Sequence, residues 1–203
     1  QDLGPVAVCR EAFELVHLGA YLDVPGFPDA DHQINTAADA EAYLSRLAQF
    51  PRELDGELGR IRDARAKGLV PPSFLIDKAL EQLRQSAKGA RDGGSLVESI
   101  ERRTQEKGIA GAWAERASAI AKRQVAPALE RQIAELEAQR AAATDIPGMW
   151  SRPAGDEYYR WAVKSSTTTT MAPDEIHQLG LDTLRDLHAR MDAILKRIGY
   201  TRG

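Results

Sequence analysis

The sequence predicts an all-α protein, a multi-helix array of antiparallel hairpins with one long helix and a long amphipathic helix near its C-terminal end. Apolar residues recur at steps of three and four along most of the chain, which is the helical period. Pairs such as Lys67-Gly68 and Pro71-Pro72 separate these stretches, as helix boundaries do. No stretch alternates apolar and polar residues over the length of a strand, and no repeat of fixed period occurs.

Charge and composition exclude several classes of function. The 203 residues include 27 Lys and Arg against 30 Asp and Glu, interspersed along the chain, for a net charge of −3. This balance argues against a general nucleic-acid or anionic-membrane surface. No apolar run reaches the roughly 18 to 20 residues of a membrane span, and no signal-peptide pattern is present. The single cysteine, Cys9, cannot form an internal disulfide and leaves the redox compartment open.

The chain divides into three parts of one helical region. Residues 1–35 mix apolar residues with Gly and Pro, so we expect irregular structure with a short helix near residues 10–21. Residues 36–144 carry helical hairpins and the long helix, and residues 145–203 carry an aromatic and threonine-rich segment with the final helix. Because the chain starts without Met and stops just beyond a helix, we interpret it as a piece of a longer protein.

The first two helices of the middle part have clear boundaries. Thr36 with Asp39 resembles an N-cap followed by an acidic first turn, and this helix should end at Phe50-Pro51. A second helix is predicted from about residue 52 to residue 66. Its two glycines, Gly56 and Gly59, each weaken a helix by about 1 kcal/mol relative to Ala, so tertiary packing must hold it or the glycines admit a close neighbour.

The third helix should follow Pro71-Pro72 and end near Gly89, and it should pair with the second helix as a hairpin. Apolar residues recur along this helix. They are Phe74, Ile76, Leu80 and Leu83.

The long helix is predicted over residues 112–142, after a short helix near residues 96–102. Pro127 lies inside this pattern and should kink or interrupt the helix, since proline lacks an amide donor and clashes with the preceding turn. The Ala, Glu, Arg and Gln composition predicts that its alternating charges form a solvated face.

The last part carries the clearest amphipathic pattern. A short aromatic helix over residues 155–164 and a hydroxyl-rich tract at residues 165–170 precede a helix that should begin at Pro173 and end at Ile198. Steps of three and four place seven residues on one face of that last helix. They are His177, Gly180, Leu184, Leu187, Met191, Ile194 and Ile198.

No complete catalytic motif is present. The zinc-protease pattern His-Glu-x-x-His is absent, as are a glycine-rich phosphate loop and Gly-x-Ser-x-Gly. Glu175 and His177 are two residues apart and point about 200° apart around a helix, so they cannot readily chelate one ion. Asp174 and His177 share a face, yet two ligands do not complete a zinc site. We therefore expect neither a catalytic residue nor a metal site, and no cofactor, in this chain.

Several residues remain candidates for a ligand contact, each with a structural alternative. His177 is either a satisfied core or capping histidine or a ligand contact completed from outside the chain. The hydroxyl-rich tract, with Thr168 and Thr169, either caps helices and forms turns or presents hydroxyls and amides to a ligand. The aromatic residues Tyr158, Tyr159 and Trp161 either lie in the core or line a cleft.

The C-terminal third resembles a known family. The run from Gly155-Asp156-Glu157-Tyr158-Tyr159 through the threonines to Pro173-Asp174-Glu175-Ile176-His177, closing with Met191-Asp192-Ala193-Ile194, is similar to bacterial proteins of the domain of unknown function 885 family. Earlier stretches, Ala42-Tyr43-Leu44-Ser45-Arg46-Leu47 and Gly68-Leu69-Val70-Pro71-Pro72, fit the same family less closely. The resemblance covers the chain from about Asp39 onward.

The resemblance implies a longer, mainly helical protein that looks like a zinc metallopeptidase. Its His-Glu and Pro-Gly-His motifs would lie downstream of the residues present here, so zinc is expected only in the family-length protein. The resemblance makes Glu175, His177 and the threonines the best candidates for reaching the cleft. Many family members carry an export signal, which implies an extracytoplasmic location.

Two hypotheses follow. In the first, the chain is a helical scaffold segment that forms one wall of a peptide-binding cleft and is inactive alone, with the remainder of the protein and a peptide substrate as partners. In the second, it is a helical interaction or structural domain without hydrolytic function. The first hypothesis predicts that the face bearing His177, Leu184, Met191 and Ile198 is partly exposed or covered by another chain.

Overall fold

A computed structural model describes residues 32–200, and within these residues the chain forms helices and no strand. The α-helices are α1 Ala37–Leu47, α2 Phe50–Ala66, α3 Ser73–Asp92, α4 Ser95–Glu106, α5 Trp113–Ile120, α6 Ala126–Ala142, α7 Gly155–Thr167 and α8 Pro173–Arg197. A π-helical turn, Ala121–Val125, joins α5 to α6, and a 3-10 turn, Met149–Ser151, precedes α7. The predicted all-α class is confirmed. Cys9 and the short helix expected near residues 10–21 lie outside the described residues.

The start of α1 confirms the predicted N-cap. The Asp39 amide donates to Thr36 Oγ1 at 3.3 Å, and the Thr36 amide donates to Asp39 Oδ2 at 2.8 Å. The Asn35 amide donates to the same carboxylate oxygen at 3.0 Å. These reciprocal bonds satisfy amides that a helix start leaves without an intrahelical acceptor, which is why the helix begins here.

The main core surrounds α6. This helix packs against α3 and α2, while α5 packs against α4 and α1. We expected α2 and α3 to pair as a hairpin. Instead, each of them contacts α6 more than it contacts the other, because α6 presents apolar residues to both. The largest side chains that are almost fully buried include Tyr43, Ile34, Leu47, Leu54, Ile76, Leu83 and Ile100.

The long helix continues through Pro127 because the turn before this proline is wider than an α-helical turn. In the π-helical turn the Ala126 amide donates to the Ala121 carbonyl, five residues back instead of four. The wider turn makes room for the proline ring, which would otherwise clash with the carbonyl of the preceding turn. The predicted interruption at Pro127 is confirmed, with the disturbance in the turn before the proline.

One polar line of α6 is buried, contrary to the predicted solvated face. Gln132 and Gln139 are 1% and 2% exposed and Glu135 is 5% exposed. Gln132 Nε2 donates to the Leu54 carbonyl at 2.9 Å and to Glu57 Oε2 at 2.8 Å. The predicted exposure was wrong for this line because residues three and four apart share the side that meets α2.

The other charged residues of α6 are exposed, as predicted, and reach neighbouring helices. Arg131 binds Asp55 through two hydrogen bonds of 2.9 and 2.7 Å, and Arg140 binds Asp77 at 2.7 Å. Arg131 ties α6 to α2 and Arg140 ties it to α3. Exposed pairs of this kind each contribute about 0–1 kcal/mol, so they fix register more than stability.

The structure decides between the two alternatives for the glycines of α2. A Cβ at Gly56 or Gly59 would meet nothing within 4 Å, so neither glycine admits a close neighbour. Phe74 of α3 is 43% exposed, because it lies about 200° around the helix from the buried Ile76. Tertiary packing of Leu54, Leu58 and the rest of its buried side therefore holds α2.

A second, smaller apolar cluster attaches α7 to the C-terminal end of α2. Its buried members are Ala64, Leu69 and Tyr158, with Trp161 and Met149 packed against them. Gly155 opens α7 directly under the 3-10 turn, where a Cβ would collide with the Met149 carbonyl oxygen. Only glycine permits this close approach of helix and turn.

The final helix, α8, begins at Pro173 as predicted and ends at Arg197, one residue before the predicted end. None of its residues is buried. Among residues 32–200, no helix is both long and apolar enough to cross a membrane.

Candidate functional site

The aromatic residues of α7 divide between core and surface. Tyr158 is 7% exposed, and its ring centroid lies 5.8 Å from that of the half-buried Trp161. Tyr159 is 52% exposed on the adjacent side of the helix. Tyr158 and Trp161 are thus core residues of the small cluster, whereas Tyr159 is free to contact a ligand.

The threonines close α7 and form the turn into α8. Thr168 adopts a left-handed backbone conformation with φ 57°, and its amide donates to the Lys164 carbonyl at 2.9 Å as the C-cap. Thr169 Oγ1 accepts from the Met171 amide at 3.2 Å. A β-branched residue rarely adopts positive φ, so Thr168 stores local backbone strain. The hydroxyl-rich tract therefore caps α7 and forms the turn into α8, as its structural alternative predicts.

Glu175 and His177 lie on the first turns of α8. Glu175 Oε2 accepts from the Ala172 amide at 2.8 Å, so this carboxylate caps the helix start and complements its dipole. His177 is exposed. It is therefore not a core histidine, and a contact with a ligand stays a prediction for this residue.

The six candidate residues do not form one site. Thr168, Thr169, Glu175 and His177 surround the α7–α8 turn, whereas Tyr158 lies ten residues earlier on α7, about 15 Å along the axis. Within residues 32–200, no three His, Cys, Asp or Glu side chains are grouped so that they could hold a metal ion. The residues described here therefore do not fit a zinc site, and any zinc would need ligands from elsewhere.

The seven-residue stripe of α8, here called the α8 seam, is solvent-exposed along its length. Leu184, Leu187 and Met191 are 51%, 42% and 55% exposed. Ile194 and Ile198 are 50% and 69% exposed. This confirms the predicted exposure of the face that bears His177, Leu184, Met191 and Ile198.

Two further exposed side chains lie near the start of α7 and were not singled out in the sequence. Trp150 is 67% exposed and Ile146 is 43% exposed. Their signal in the sequence was an apolar pair flanking Pro147-Gly148, a turn that keeps such residues at the surface. Nearby, partial burial lowers the pKa of Arg152, because desolvation disfavours its charged form.

Large exposed apolar side chains are concentrated after residue 145. In the part of the chain that the structure describes, Phe74 alone lies before that point. The others are Ile146, Trp150, Tyr159, Met171, Leu179, Leu181, Leu184, Leu187, Met191, Ile194, Ile198 and Tyr200. So many uncovered apolar side chains in one region are unusual, since soluble domains rarely expose large contiguous apolar patches.

Comparison with known families agrees with the resemblance seen in the C-terminal third. The family model for bacterial protein of unknown function DUF885 matches residues 9–203. The chain belongs to this family. No curated protein matches the chain.

A solved structure extends this DUF885 assignment to the fold. The chain is similar to the "putative lipoprotein from Colwellia psychrerythraea", with a TM-score of 0.83 and 24% sequence identity. The match covers 91% of this chain and 32% of that chain, so this DUF885 chain spans about a third of the length of the protein it resembles. At this identity the likeness shows a shared helical fold.

Proposed function

We propose that this chain is a helical scaffold segment of a longer DUF885 protein, and that its residues 146–200 form one wall of a peptide-binding cleft. The observation that carries the proposal is the concentration of exposed apolar side chains after residue 145. The helices before that point bury most of their apolar residues around α6, with Phe74 as the exception. Coverage of only 32% of the similar lipoprotein supports a larger whole.

In this proposal the chain supplies shape and contacts, and the chemistry lies in the remainder of the protein. Tyr159, Thr168, Thr169 and His177 are exposed or half-buried at the surface that would face the cleft. Tyr158 would support the wall from the core, and Glu175 would fix the start of α8. Zinc, a general base and an extracytoplasmic location belong to the proposal for the whole protein, and the lipoprotein description of the similar structure agrees with such a location.

The test compares the purified 203-residue chain with the family-length protein that contains it. We expect stoichiometric zinc and chelator-sensitive cleavage of a mixed peptide library in the longer protein and neither in the chain alone. The matched variants are Tyr159→Ala at the cleft wall and Lys78→Ala on the exposed side of α3, outside residues 146–200. The first should raise KM and the second should leave activity unchanged.

Absence of zinc and peptidase activity from the longer protein would contradict the cleft proposal. That outcome would favour the second candidate, a helical interaction domain, for which the uncovered α8 seam is the supporting observation. Stoichiometric zinc in the 203-residue chain would contradict the assignment of metal ligands to the remainder of the protein.

A further inference from the structure

We propose that the α8 seam beyond His177 is a coiled-coil-type docking face, which leaves Tyr159, His177 and the threonines to the cleft. Its occupant is an amphipathic helix from the part of the family-length protein outside these 203 residues. The inference rests on the proposed function in one respect, that the chain is a segment of a longer protein. It does not depend on peptidase chemistry or on zinc.

The spacing of the seam is that of a helix that packs against another helix. Residues 177, 180, 184, 187, 191, 194 and 198 alternate steps of three and four, which places them at the a and d positions of successive heptads. About three heptads in succession form a seam roughly 30 Å long. A flat protein surface or a small ligand does not require such regular spacing, whereas knobs-into-holes packing does.

The seam has no partner among the residues that the structure describes. None of the α8 residues is buried, and the seam residues Leu184, Leu187 and Ile194 are each at least 42% exposed. A lone amphipathic helix gains little stability in water from propensity alone and depends on burying its apolar face. The seam therefore calls for an apolar partner of comparable length.

The charges beside the seam argue against a second copy of this chain as the occupant. Between residues 177 and 198, the flanking e and g positions carry His188, Arg190 and Arg197 and no carboxylate. The acidic residues Asp182 and Asp186 lie at positions that face away from a partner. Two antiparallel copies would bring together the g edges that carry Arg190 and Arg197, and two parallel copies would pair no opposite charges. A helix with carboxylates at its edges would be attracted instead.

The length of the related protein supplies a source for such a helix. The structural match covers 91% of this chain but 32% of the similar lipoprotein, which leaves about two thirds of that chain outside the shared fold. A helix in the same polypeptide meets the seam at a high effective concentration, so modest apolar contacts suffice for docking. At Gly180 a Cβ would meet nothing within 4 Å, so this position leaves a notch for a large side chain of the partner.

The experiment is hydrogen exchange, followed by mass spectrometry, of the 203-residue chain and of the family-length gene product. We expect α8 amides to exchange about 100-fold more slowly, or slower still, in the longer protein, because docking raises the free energy of local opening. Leu187→Lys on the seam should abolish most of this protection. Ala189→Lys, about 200° away around the same helix, is the matched control and should retain it.

Gly180→Leu adds a test in which helix propensity and docking change the exchange rate of α8 in opposite directions. In the 203-residue chain it should slow exchange in α8, since leucine forms helices better than glycine. In the longer protein it should speed exchange, since its side chain fills the notch that the partner needs. Because α8 buries none of its residues, these variants leave the rest of the chain folded, which thermal unfolding of the main core checks.

Three results would overturn the proposal: equal exchange of α8 in the two proteins, an α8 protected in a dimer of the 203-residue chain, or a reading frame that ends at Gly203. The proposed cleft can fail independently. Protected α8 in a longer protein without zinc or peptidase activity would retain the docking helix and remove the cleft.

Discussion

At the scale of single residues, Gly155 is the position where the backbone tolerates least. A Cβ there collides with the Met149 carbonyl oxygen, a backbone atom that cannot move without breaking the turn before α7. We expect Gly155→Ala to lower the free energy of unfolding by about 1–3 kcal/mol, as for overpacked sites. Urea denaturation followed by near-ultraviolet circular dichroism, which reports the Trp161 environment, measures the loss.

Gly59 supplies the matched control on α2. Its Cβ would meet open space, so Gly59→Ala should raise the free energy of unfolding by about 0.5–1 kcal/mol through reduced backbone entropy of the unfolded chain. Equal effects of the two substitutions would show that the close approach at Gly155 is not what constrains the start of α7.

Asp39 gives the start of α1 a defined dependence on pH. Hydrogen bonds from the Asn35 amide, the Thr36 hydroxyl and the Thr36 amide lower the pKa of this carboxyl below its ordinary value. The bonds favour the charged form, so their stabilisation is present above the ordinary aspartate pKa and is lost as the pH falls through the lowered value. We expect Asp39→Asn to flatten the fall in thermal stability on acidification below about pH 4.

The control for Asp39 must keep the other acid-sensitive pairs. The pKa of Glu41 is also lowered, chiefly by its hydrogen bond with Arg116, and this pair titrates with the same sign. Asp63→Asn replaces an exposed carboxyl on α2 by an amide and is the matched control for the substitution itself. Identical curves for the wild type and Asp39→Asn would refute the assigned contribution of the cap.

At the scale of helices, the contact of α2 with α6 contains a buried polar line. Gln132→Ala removes the amide that donates to the Leu54 carbonyl and to Glu57 Oε2, the latter on a side chain that is 3% exposed. Leaving such acceptors without this donor should cost about 1–3 kcal/mol in the free energy of unfolding. Differential scanning calorimetry of the variant measures the change.

Glu137 is the comparison position on the same helix. It pairs with Arg84 at 2.7 Å, but both side chains are at least half exposed. Glu137→Ala should therefore change the free energy of unfolding by less than about 1 kcal/mol. A larger loss at Glu137 than at Gln132 would show that surface pairs, and not the buried amide, hold α6 against its neighbours.

At the scale of the whole molecule, the main core is built without α8. The core surrounds α6 and draws on α1 to α5, whereas no residue of α8 is buried. We expect removal of residues 172–203 to shift the unfolding midpoint of the core by less than about 3 °C, since little apolar area changes its environment. Thermal unfolding of the shortened chain measures this shift.

A large fall in the midpoint after this truncation would mean that α8 packs against the core in solution. An unchanged unfolding midpoint of the core, together with greater solubility of the shortened chain, would agree with the proposal that the α8 seam binds a partner. We expect greater solubility because the truncation removes Leu184, Leu187 and their exposed apolar neighbours.

The sequence by itself determined the helical class, most helix boundaries and the amphipathic face of α8. These features depend on local chemistry: the Thr36 and Asp39 cap, Pro173 at the start of α8 and the disturbance at Pro127 each act within a few residues. The family resemblance likewise rested on contiguous residues. Such signals need no knowledge of distant parts of the chain.

Only the tertiary structure decided which faces are covered. Gln132 lies in a charged, alanine-rich stretch whose composition predicts a solvated helix, yet α2 buries it. Leu187 lies on the most apolar stripe, yet no residue that the structure describes covers it. Periodicity fixes which residues share a face but not whether another helix arrives to meet that face, because burial depends on residues far away in the chain or outside it. For this protein, that physical difference separates the predictable helix α8 from the coverage of its apolar face.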